Sequence, residues 1–351
     1  MKIGIIGDVH WCQYSSIIRK RGKKYSLRLE NCINSINWAE KLTSQLNCDV
    51  NVYMGDFFDR ADLNSEEISA LKEIKWNELD KYFLVGNHEM GSSDLQINST
   101  SLFELFDNYL FNSDYTKPFH VIDSPHHMGI GFPNECEIIM LPYIQETNRK
   151  PIEDYIKSNA FKKILLMHND IKGIQLGKMI SQQGFSIEEI QNNCDLCING
   201  HLHNGGKVAP KIFNVGNLTG QNFSENASLY DHVIFIVDTE TLTIDAYENP
   251  YAFNFYKEEW VDGVPFRAEF KNNSVLTVQT LEELYEQAKN IINENPNIVE
   301  SRILIKPCLI DSVEPDYEDL SIDHYKEFEN YILSHIDASD IAKEEIEIIL
   351  S

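Results

Sequence analysis

Basic residues are scarce in this sequence relative to acidic ones. It contains 30 Lys and Arg against 55 Asp and Glu, which gives its 351 residues a formal net charge of −25 at pH 7. A charge of this size repels polyanions at long range, whereas tight non-specific binding of nucleic acid depends on neutralising phosphates with Lys and Arg. The composition therefore disfavours a stand-alone nucleic-acid binder, unless cations or a second subunit change the local field.

Long apolar runs and a disulfide framework are also missing. The apolar stretch 3–6 is too short for the core of a signal peptide and leads directly into Asp8 and His10. No apolar run is long enough to cross a bilayer, and the seven cysteines are scattered and odd in number. These absences predict a cytoplasmic protein without a membrane partner.

What the sequence does contain is a series of short apolar segments that end in turn residues. Apolar and polar residues do not alternate strictly within these segments, which indicates strands buried on both faces. Between the first two, residues 27–46 carry apolar side chains at helical spacing. This mixture predicts a layered α/β domain. The predicted strands are Lys2–Ile6, Val50–Met54, Tyr82–Val85, Ile138–Leu141, Lys163–Met167, Leu196–Ile198 and Val233–Val237.

The pattern changes after about residue 250. A capping-box signature at Thr280 and Glu283 predicts a helix whose apolar stripe runs over 281–292, and 302–305 is a strand candidate. The last forty or so residues are strongly acidic. We therefore predict a catalytic domain over 1–255 and a small α+β cap with an acidic tail over 256–351.

Five short motifs follow the ends of predicted strands and carry the side chains of a metal site. In open α/β sheets, sites gather at the carboxyl ends of strands. Imidazole, carboxylate and carboxamide together suit Mn²⁺, Fe or Zn²⁺ better than Ca²⁺ or a thiolate site. Two such ions about 3.5–4 Å apart can clamp the attacking and leaving oxygens of a phosphoryl displacement. The motifs are Gly7–His10, Gly55–Arg60, Gly86–Glu89, Met167–Asn169 and Gly200–His203.

This order of motifs resembles that of the calcineurin-like metallophosphoesterase superfamily, D-x-H, G-D-x-x-D, G-N-H-[DE], H and G-H-x-H, from residue 4 to about 220. The resemblance implies a four-layered α/β/β/α sandwich with a dinuclear site. It also implies that His88 is the catalytic imidazole and that Asp59 orients its ring. One metal would be held by Asp8, His10, Asp56 and His203, and the second by the bridging Asp56 with Asn87, His168 and His201.

Within that superfamily, the chain resembles SbcD-type DNA repair exonucleases, including the nuclease subunits of phage recombination complexes. The resemblance rests on Leu141-Pro142-Tyr143, on Phe213–Asn217 and on the predicted C-terminal cap. It implies a Mn²⁺-dependent DNA nuclease in a bacterial or phage-infected cell, with Mg²⁺, Fe or Zn²⁺ as alternative metals. It further implies an SbcC-like ATPase partner and a homodimer through the catalytic domain.

One dense basic segment interrupts the acidic sequence and lies between the first and second motifs. It offers candidate contacts to the DNA backbone, although such charge runs are commonly solvated loops. The candidate residues are Arg19, Lys20, Arg21, Lys23, Lys24 and Arg28.

The motifs leave two other functions open. The same metal chemistry would serve a metallophosphatase or phosphodiesterase acting on a phosphoprotein or a small nucleotide. A non-enzymatic scaffold that keeps the metals for structure is the third interpretation. Cys194 and Cys197 have the spacing of a zinc half-site, but no second pair accompanies them, and we interpret them as structural.

Overall fold

The structure is a computed structural model, and it describes the chain in several segments. These are residues 1–90, 119–131, 135–176, 179–222, 225, 227, 229–255, 259–261, 266–269, 275–278, 283, 286, 290 and 304–306. The helices are α1 (Leu27–Gln45), α2 (Ser65–Leu71) and α3 (Ile187–Asn193). The strands are β1 (Lys2–Ile6), β2 (Val50–Tyr53), β3 (Asp80–Leu84), β4 (Phe119–Ile122), β5 (His126–Ile130), β6 (Cys136–Leu141), β7 (Lys162–Met167), β8 (Ile171–Lys172), β9 (Gln175–Leu176), β10 (Met179–Ile180), β11 (Phe185–Ser186), β12 (Leu196–Asn199), β13 (Gly206–Ala209), β14 (Ile212–Asn214), β15 (Val233–Asp238), β16 (Thr243–Glu248), β17 (Glu259–Val261), β18 (Phe266–Glu269), β19 (Val275–Val278) and β20 (Leu304–Lys306).

Two six-stranded mixed sheets lie within residues 2–248. The first has the order β16-β15-β1-β2-β3-β4, in which β1 to β4 are parallel and β15 and β16 add antiparallel neighbours. The second has the order β13-β14-β12-β7-β6-β5, in which β6, β7, β12 and β14 are parallel. All seven predicted strands are confirmed, with ends that differ by at most two residues.

Three hydrophobic clusters hold the layers together. Ile3 and Ile5 of β1 pack in one cluster with Ile164 and Leu166 of β7, so this cluster lies between the two sheets. A second cluster joins the other face of the first sheet to α1, and a third joins the second sheet to α3. The predicted α/β/β/α sandwich is therefore the fold of this part of the chain.

Helix α1 forms where the apolar spacing predicted it. Its N-cap is Ser26, whose side chain accepts a hydrogen bond from the backbone N–H of Leu29 at 3.2 Å. The residues that carry the predicted stripe are all buried against the first sheet: Leu29, Cys32, Ile33, Ile36 and Ala39.

A buried polar cluster lies where α1 meets β2 and β3. Lys81 and Glu40 are both fully buried, and Lys81 Nζ lies 3.3 Å from Glu40 Oε2. Glu40 also accepts hydrogen bonds from Asn51 Nδ2 at 3.0 Å and Tyr53 Oη at 2.7 Å. Burial lowers the pKa of Lys81, and the carboxylate of Glu40 opposes that effect. The pair is enclosed by partners that satisfy both charges, as buried ions require.

The chain divides into two compact units. One comprises residues 1–221 and 230–253, and the other comprises residues 222–229 and 254–351. In the second unit, β17 pairs in parallel with β20, and β18 pairs antiparallel with β19. Most of the predicted helix over 281–292 and the whole acidic tail after residue 306 lie outside the described residues. The boundary at residue 255 and the α+β cap therefore stay predictions.

Within the described residues, no helix combines the length and the apolar character that a membrane span needs.

Candidate metal centre

The candidate metal ligands leave the carboxyl ends of parallel strands in both sheets. Asp8 and His10 follow β1, Asp56 follows β2, and Asn87 follows β3. The second sheet contributes the remaining three, since His168 follows β7 directly and His201 and His203 follow β12. Because parallel strands share one carboxyl edge in each sheet, residues far apart in the sequence meet at one end of the sandwich.

These side chains converge into three overlapping groups with the spacing of metal ligands. Within each group, one ligand atom per residue lies within 4.8 Å of the others. Asp56 belongs to two of the groups, which suits the bridging role that the family resemblance implies. The groups are Asp8, His10 and His203; His10, Asp56 and His88; and Asp56, His168 and His201.

The tightest convergence is around Asn87. Its Oδ1 lies 3.0 Å from His201 Nδ1 and 3.3 Å from His168 Nε2, and His168 Nε2 lies 3.2 Å from Asp56 Oδ2. Two imidazoles, a carboxamide and a carboxylate therefore point four ligand atoms at one small volume. This donor set is the one predicted for the second metal.

Unusual backbone angles place three of these ligands. His10, Asp56 and His201 have φ values of 47°, 45° and 64°, a region that few residues other than glycine occupy. Such conformations persist at functional sites because the surrounding structure imposes them. The bend after each strand turns the ligand side chain toward the centre of the site.

Gly86 and Gly200 allow the ligand loops to approach one another closely. A Cβ at Gly86 would lie 2.1 Å from Asp56 Oδ1, and a Cβ at Gly200 would lie 2.9 Å from Asp8 Oδ1. Both distances are shorter than real Cβ contacts. Any side chain at these positions would therefore displace a candidate ligand.

Two buried atoms show that the site fits a cation. Asp8 Oδ2 and His10 Nε2 are buried and have no hydrogen-bond partner among the described residues. Buried polar atoms of this kind normally have a partner, and each exception calls for an explanation. A divalent cation bound between them explains both, and carboxylate oxygen and imidazole nitrogen are suitable ligands for Mn²⁺, Fe or Zn²⁺.

Electrostatics at the site also favour a bound cation. Burial raises the pKa of Asp8, whereas His168 and His10 hold the pKa of the equally buried Asp56 below its usual range. Burial alone would lower the pKa of His168, but Asp56 and Asp8 raise it to about 10. Two carboxylates and an imidazole buried together therefore favour added positive charge. A cation held by Asp56 and His168 would supply that charge, and its binding at His168 Nε2 would require this nitrogen to be unprotonated.

His88 differs from the buried ligands because its side chain is 38% exposed. Its Nδ1 lies 2.8 Å from the main-chain carbonyl oxygen of Asp59, and its ring stands edge-on to His10 at 4.7 Å between centroids. A carbonyl oxygen can only accept, so His88 Nδ1 carries a hydrogen and Nε2 is the nitrogen left for a substrate.

Asp59 lies beside His88, as the predicted orienting role requires, but the contact is made by its main chain and not by its carboxylate. Asp59 Oδ1 lies 3.9 Å from His88 Nδ1, too far for a hydrogen bond. The same oxygen lies 3.2 Å from His10 Nδ1. Asp59 therefore orients His88 through its main chain and His10 through its carboxylate. The side-chain rotamer that makes this choice could not be derived from the motif spacing.

Sequence reasoning also missed three residues that surround the site. Glu89 accepts hydrogen bonds from the backbone N–H groups of Phe58 and Gly86, and so ties the second motif to the third. Burial and the nearby Asp56 raise the pKa of Glu89 to about 8. Asp170 Oδ1 lies 3.0 Å from His201 Nε2, and Arg149 lies 3.7 Å from Asp170. The position of Asp170 two residues after His168 was the one available signal.

Tyr143, singled out in the sequence only as part of a motif, lies at the same edge. Its ring is 5.6 Å from that of His201 and 6.4 Å from that of His168. Its backbone N–H donates to the carbonyl oxygen of Val85 at 2.8 Å, which joins the end of β6 to the loop after β3.

The basic segment is only partly available to a polyanion. Arg21 pairs with Glu66 at 2.6 Å, and Lys24 pairs with Glu73 at 2.5 Å. Arg19, Lys20 and Lys23 are exposed. The acidic residues of this chain thus neutralise part of the charge from which the DNA contact was predicted.

Arg28 is a correction to the predicted DNA contacts. Its side chain is fully buried, and it donates to the backbone oxygens of Val9 at 2.8 Å and Gly220 at 3.2 Å. A buried guanidinium cannot bind the backbone of DNA. Arg28 instead supports the loop that carries Asp8 and His10, because α1 begins directly beside that loop.

Comparison with known proteins gives a family and a set of distant structural relatives. No curated protein matches the sequence. Similar solved structures include a protein of Thermus thermophilus, with 9% identity over 70% of this chain and 98% of that chain and a TM-score of 0.39. A dimetal phosphatase from Danio rerio has 12% identity over 71% and 99% of the two chains and a TM-score of 0.40. The calcineurin-like phosphoesterase YfkN from Bacillus subtilis has 11% identity over 71% and 88%, with a TM-score of 0.36.

The family model described as calcineurin-like phosphoesterase matches residues 1–205 of the 351. That range is more than half of the chain, and it contains all seven candidate ligands together with His88. The chain therefore belongs to the calcineurin-like phosphoesterase family.

Proposed function

We propose that this phosphoesterase is a Mn²⁺-dependent DNA nuclease, the catalytic subunit of an SbcCD-like repair or recombination complex. The observation that supports it best is the partly exposed His88 beside candidate metal ligands that are buried or half-buried. Ligands held in this way favour a permanent pair of cations, and an exposed imidazole next to them can contact a large phosphodiester. The SbcC-like ATPase partner and the homodimer remain parts of this proposal.

The ligand assignment follows the convergence of side chains. Asp8, His10, Asp56 and His203 would hold one cation, and Asp56 with Asn87, His168 and His201 would hold the other. When bound, such a pair polarises a phosphoryl oxygen and makes water a competent nucleophile at neutral pH. The metal we propose is Mn²⁺, because the mixed nitrogen and oxygen donors suit it.

His88 has the geometry of an acid for the leaving oxygen. Its Nδ1–H is held by the carbonyl oxygen of Asp59 at 2.8 Å, so the ring cannot turn that nitrogen toward substrate. In its cationic form the ring carries a second proton on Nε2, and that proton can pass to the departing oxygen of the ester. His10, 4.7 Å away between ring centroids, keeps this imidazole next to the proposed metal pair.

Digestion of end-labelled linear DNA by the full chain, with and without Mn²⁺, tests the proposal. His88→Asn is the matched variant, since it removes the proton donor but leaves every metal ligand in place. Cleavage that requires both Mn²⁺ and His88 supports the nuclease. If the DNA stays uncleaved while a small phosphate ester is rapidly hydrolysed in the presence of Mn²⁺, the nuclease proposal is ruled out.

A phosphoesterase for small nucleotides or phosphoproteins is the second candidate. The ion pairs of Arg21 with Glu66 and of Lys24 with Glu73 favour it, because they reduce the positive charge available to a polyanion. A net charge of −25 has the same effect. The DNA assay and a small-ester assay, run side by side on the same preparation, distinguish the two candidates.

A further inference from the structure

The nitrogen of His201 that faces away from the other ligands lies against a carboxylate outside the predicted site. His201 Nε2 is 3.0 Å from Asp170 Oδ1. Asp170 belongs to none of the three groups with metal-ligand spacing. We infer that Asp170 is a positioning residue, which holds His201 as its Nε2–H tautomer and presents the Nδ1 lone pair to the second cation. The inference rests on the proposed metal chemistry.

The opposite edge of the His201 ring shows what this orientation achieves. Nδ1 lies 3.0 Å from Asn87 Oδ1 and 3.3 Å from His168 Nε2. A neutral imidazole carries one hydrogen, and a carboxylate can only accept. Placing that hydrogen on Nε2 therefore leaves Nδ1 as an acceptor, directed at the point where the other ligand atoms converge.

Asp170 is itself held in place, as a positioning residue must be. Arg149 Nη2 lies 3.7 Å from Asp170 Oδ2. Arg149 is fixed in turn by a 2.8 Å bond to the backbone oxygen of Ile144 and by its place 5.1 Å from the ring centre of Phe185. The carboxylate therefore has little freedom to leave His201.

Two other imidazoles of the site, those of His168 and His10, follow the same arrangement. His168 Nδ1 lies 2.7 Å from the backbone oxygen of Met54, and His10 Nδ1 lies 3.2 Å from Asp59 Oδ1. In each ring, an oxygen holds the outer nitrogen while the inner nitrogen faces the ligand cluster. Oxygen partners of this kind fix the tautomer of metal-binding histidines. Asp170 supplies that partner for His201.

Calorimetric titration of the metal-stripped full chain with Mn²⁺ tests the inference without reference to activity. For Asp170→Ala we expect one of two Mn²⁺ binding events to weaken about 10–100-fold, as is typical when such a partner is lost. Asp170→Asn keeps an oxygen acceptor and should fall between Asp170→Ala and the wild type. Glu146→Gln is the matched control, because Glu146 also pairs with Arg149 but does not contact His201.

A second measurement reads the tautomer directly. In the Zn²⁺-loaded chain with ¹⁵N-labelled histidine, His201 should show a protonated Nε2 and a metal-bound Nδ1, with the resonance assigned by its absence in His201→Asn. The spectrum of the wild type is informative even if Asp170→Ala does not fold. The inference is overturned if Nδ1 of His201 is protonated, or if a folded Asp170→Ala variant binds Mn²⁺ with unchanged affinity. An equal loss in Glu146→Gln would also overturn it, since that result assigns the effect to general support of the loop.

The titration separates this inference from the nuclease proposal. If Asp170→Ala weakens Mn²⁺ binding but the wild type cleaves no DNA, the positioning role stands and the nuclease does not. If DNA is cleaved while Asp170→Ala binds Mn²⁺ normally, the nuclease proposal stands and the positioning role does not.

Discussion

The carboxylate of Asp59 lies 3.2 Å from Nδ1 of His10, whereas the main-chain carbonyl of the same residue holds His88. One residue thus positions a proposed metal ligand with its side chain and the proposed proton donor with its backbone. The two roles can be separated by mutation, because a side-chain substitution leaves the carbonyl in place.

Asp59→Asn should therefore impair metal binding more directly than proton donation. The variant replaces a charged acceptor at His10 by a neutral one, and we expect Mn²⁺ affinity to fall about 10–100-fold. Calorimetry of the metal-stripped protein measures this. Asp62→Asn, an exposed neighbour in the same loop, is the control and should bind Mn²⁺ like the wild type. Normal Mn²⁺ affinity in Asp59→Asn would contradict the assignment.

Gly86→Ala should abolish the second cation site. The added methyl group would lie 2.1 Å from Asp56 Oδ1, so either the loop or the Asp56 carboxylate must move. We expect loss of one bound metal per chain by elemental analysis and loss of ester hydrolysis. Gly129→Ala in β5 meets nothing within 4 Å and should retain both metals. If Gly86→Ala still binds two metals per chain, the loop accommodates the added methyl group and the prediction is wrong.

Lys81→Met should destabilise the fold without altering the metal site. It leaves Glu40 buried and without its 3.3 Å partner, and breaking a buried ion pair in this way costs about 3–5 kcal/mol. The double variant Lys81→Met/Glu40→Gln removes both charges and should be less destabilised than Lys81→Met alone. Chemical denaturation gives the free energy of unfolding for each. A double variant that is the less stable of the two would contradict this account of the cluster.

Removing the metals should lower the stability of the catalytic unit. A ligand that binds only the folded state stabilises it by about 2.7 kcal/mol at 100 times its Kd, and the buried Asp8 loses its counter-charge when the cation leaves. Melting with and without chelator measures the difference. His203→Ala, which lacks one candidate ligand, should show a smaller difference than the wild type. Equal melting temperatures with and without metal would argue against structural coupling of the site.

Neutralising the exposed basic residues separates the two candidate functions. Under the nuclease proposal, Arg19→Ala/Lys23→Ala should reduce DNA cleavage while hydrolysis of a small phosphodiester is unchanged, because these cations would contact only the DNA backbone. Arg21→Ala/Lys24→Ala is the comparison, since both of these residues already pair with glutamates, and it should have the smaller effect. Parallel loss of both activities would contradict a role in DNA binding.

The sequence predicted the strands well because they are encoded locally, and the same strand ends locate the candidate ligands. Each motif begins where a buried apolar strand ends, so the sequence alone places Asp8, Asp56 and His168 at a sheet edge. The layered fold follows from the same strands together with the apolar stripe of α1. Strands such as β16 were not predicted, because Thr243–Glu248 is largely polar and exposed.

Contacts that depend on tertiary placement could not be predicted. The burial of Arg28 arises because the start of α1 lies against the loop after β1, and a run of basic residues carries no sign of it. Whether Asp59 Oδ1 lies against His10 or against His88 depends on the rotamer of the Asp59 side chain. Asp170 reaches His201 across two strands that are adjacent in space but separated in sequence.

The proposed second cation site draws its ligands from both layers of the sandwich. Asp56 and Asn87 follow strands of the first sheet, and His168 and His201 follow strands of the second. The six cysteines among the described residues are all free thiols, so no covalent cross-link joins the layers there. A cation bound to these four residues would cross-link the two sheets at their carboxyl edges. The integrity of this end of the molecule would then respond to the supply of divalent metal and be indifferent to the redox state of the surroundings.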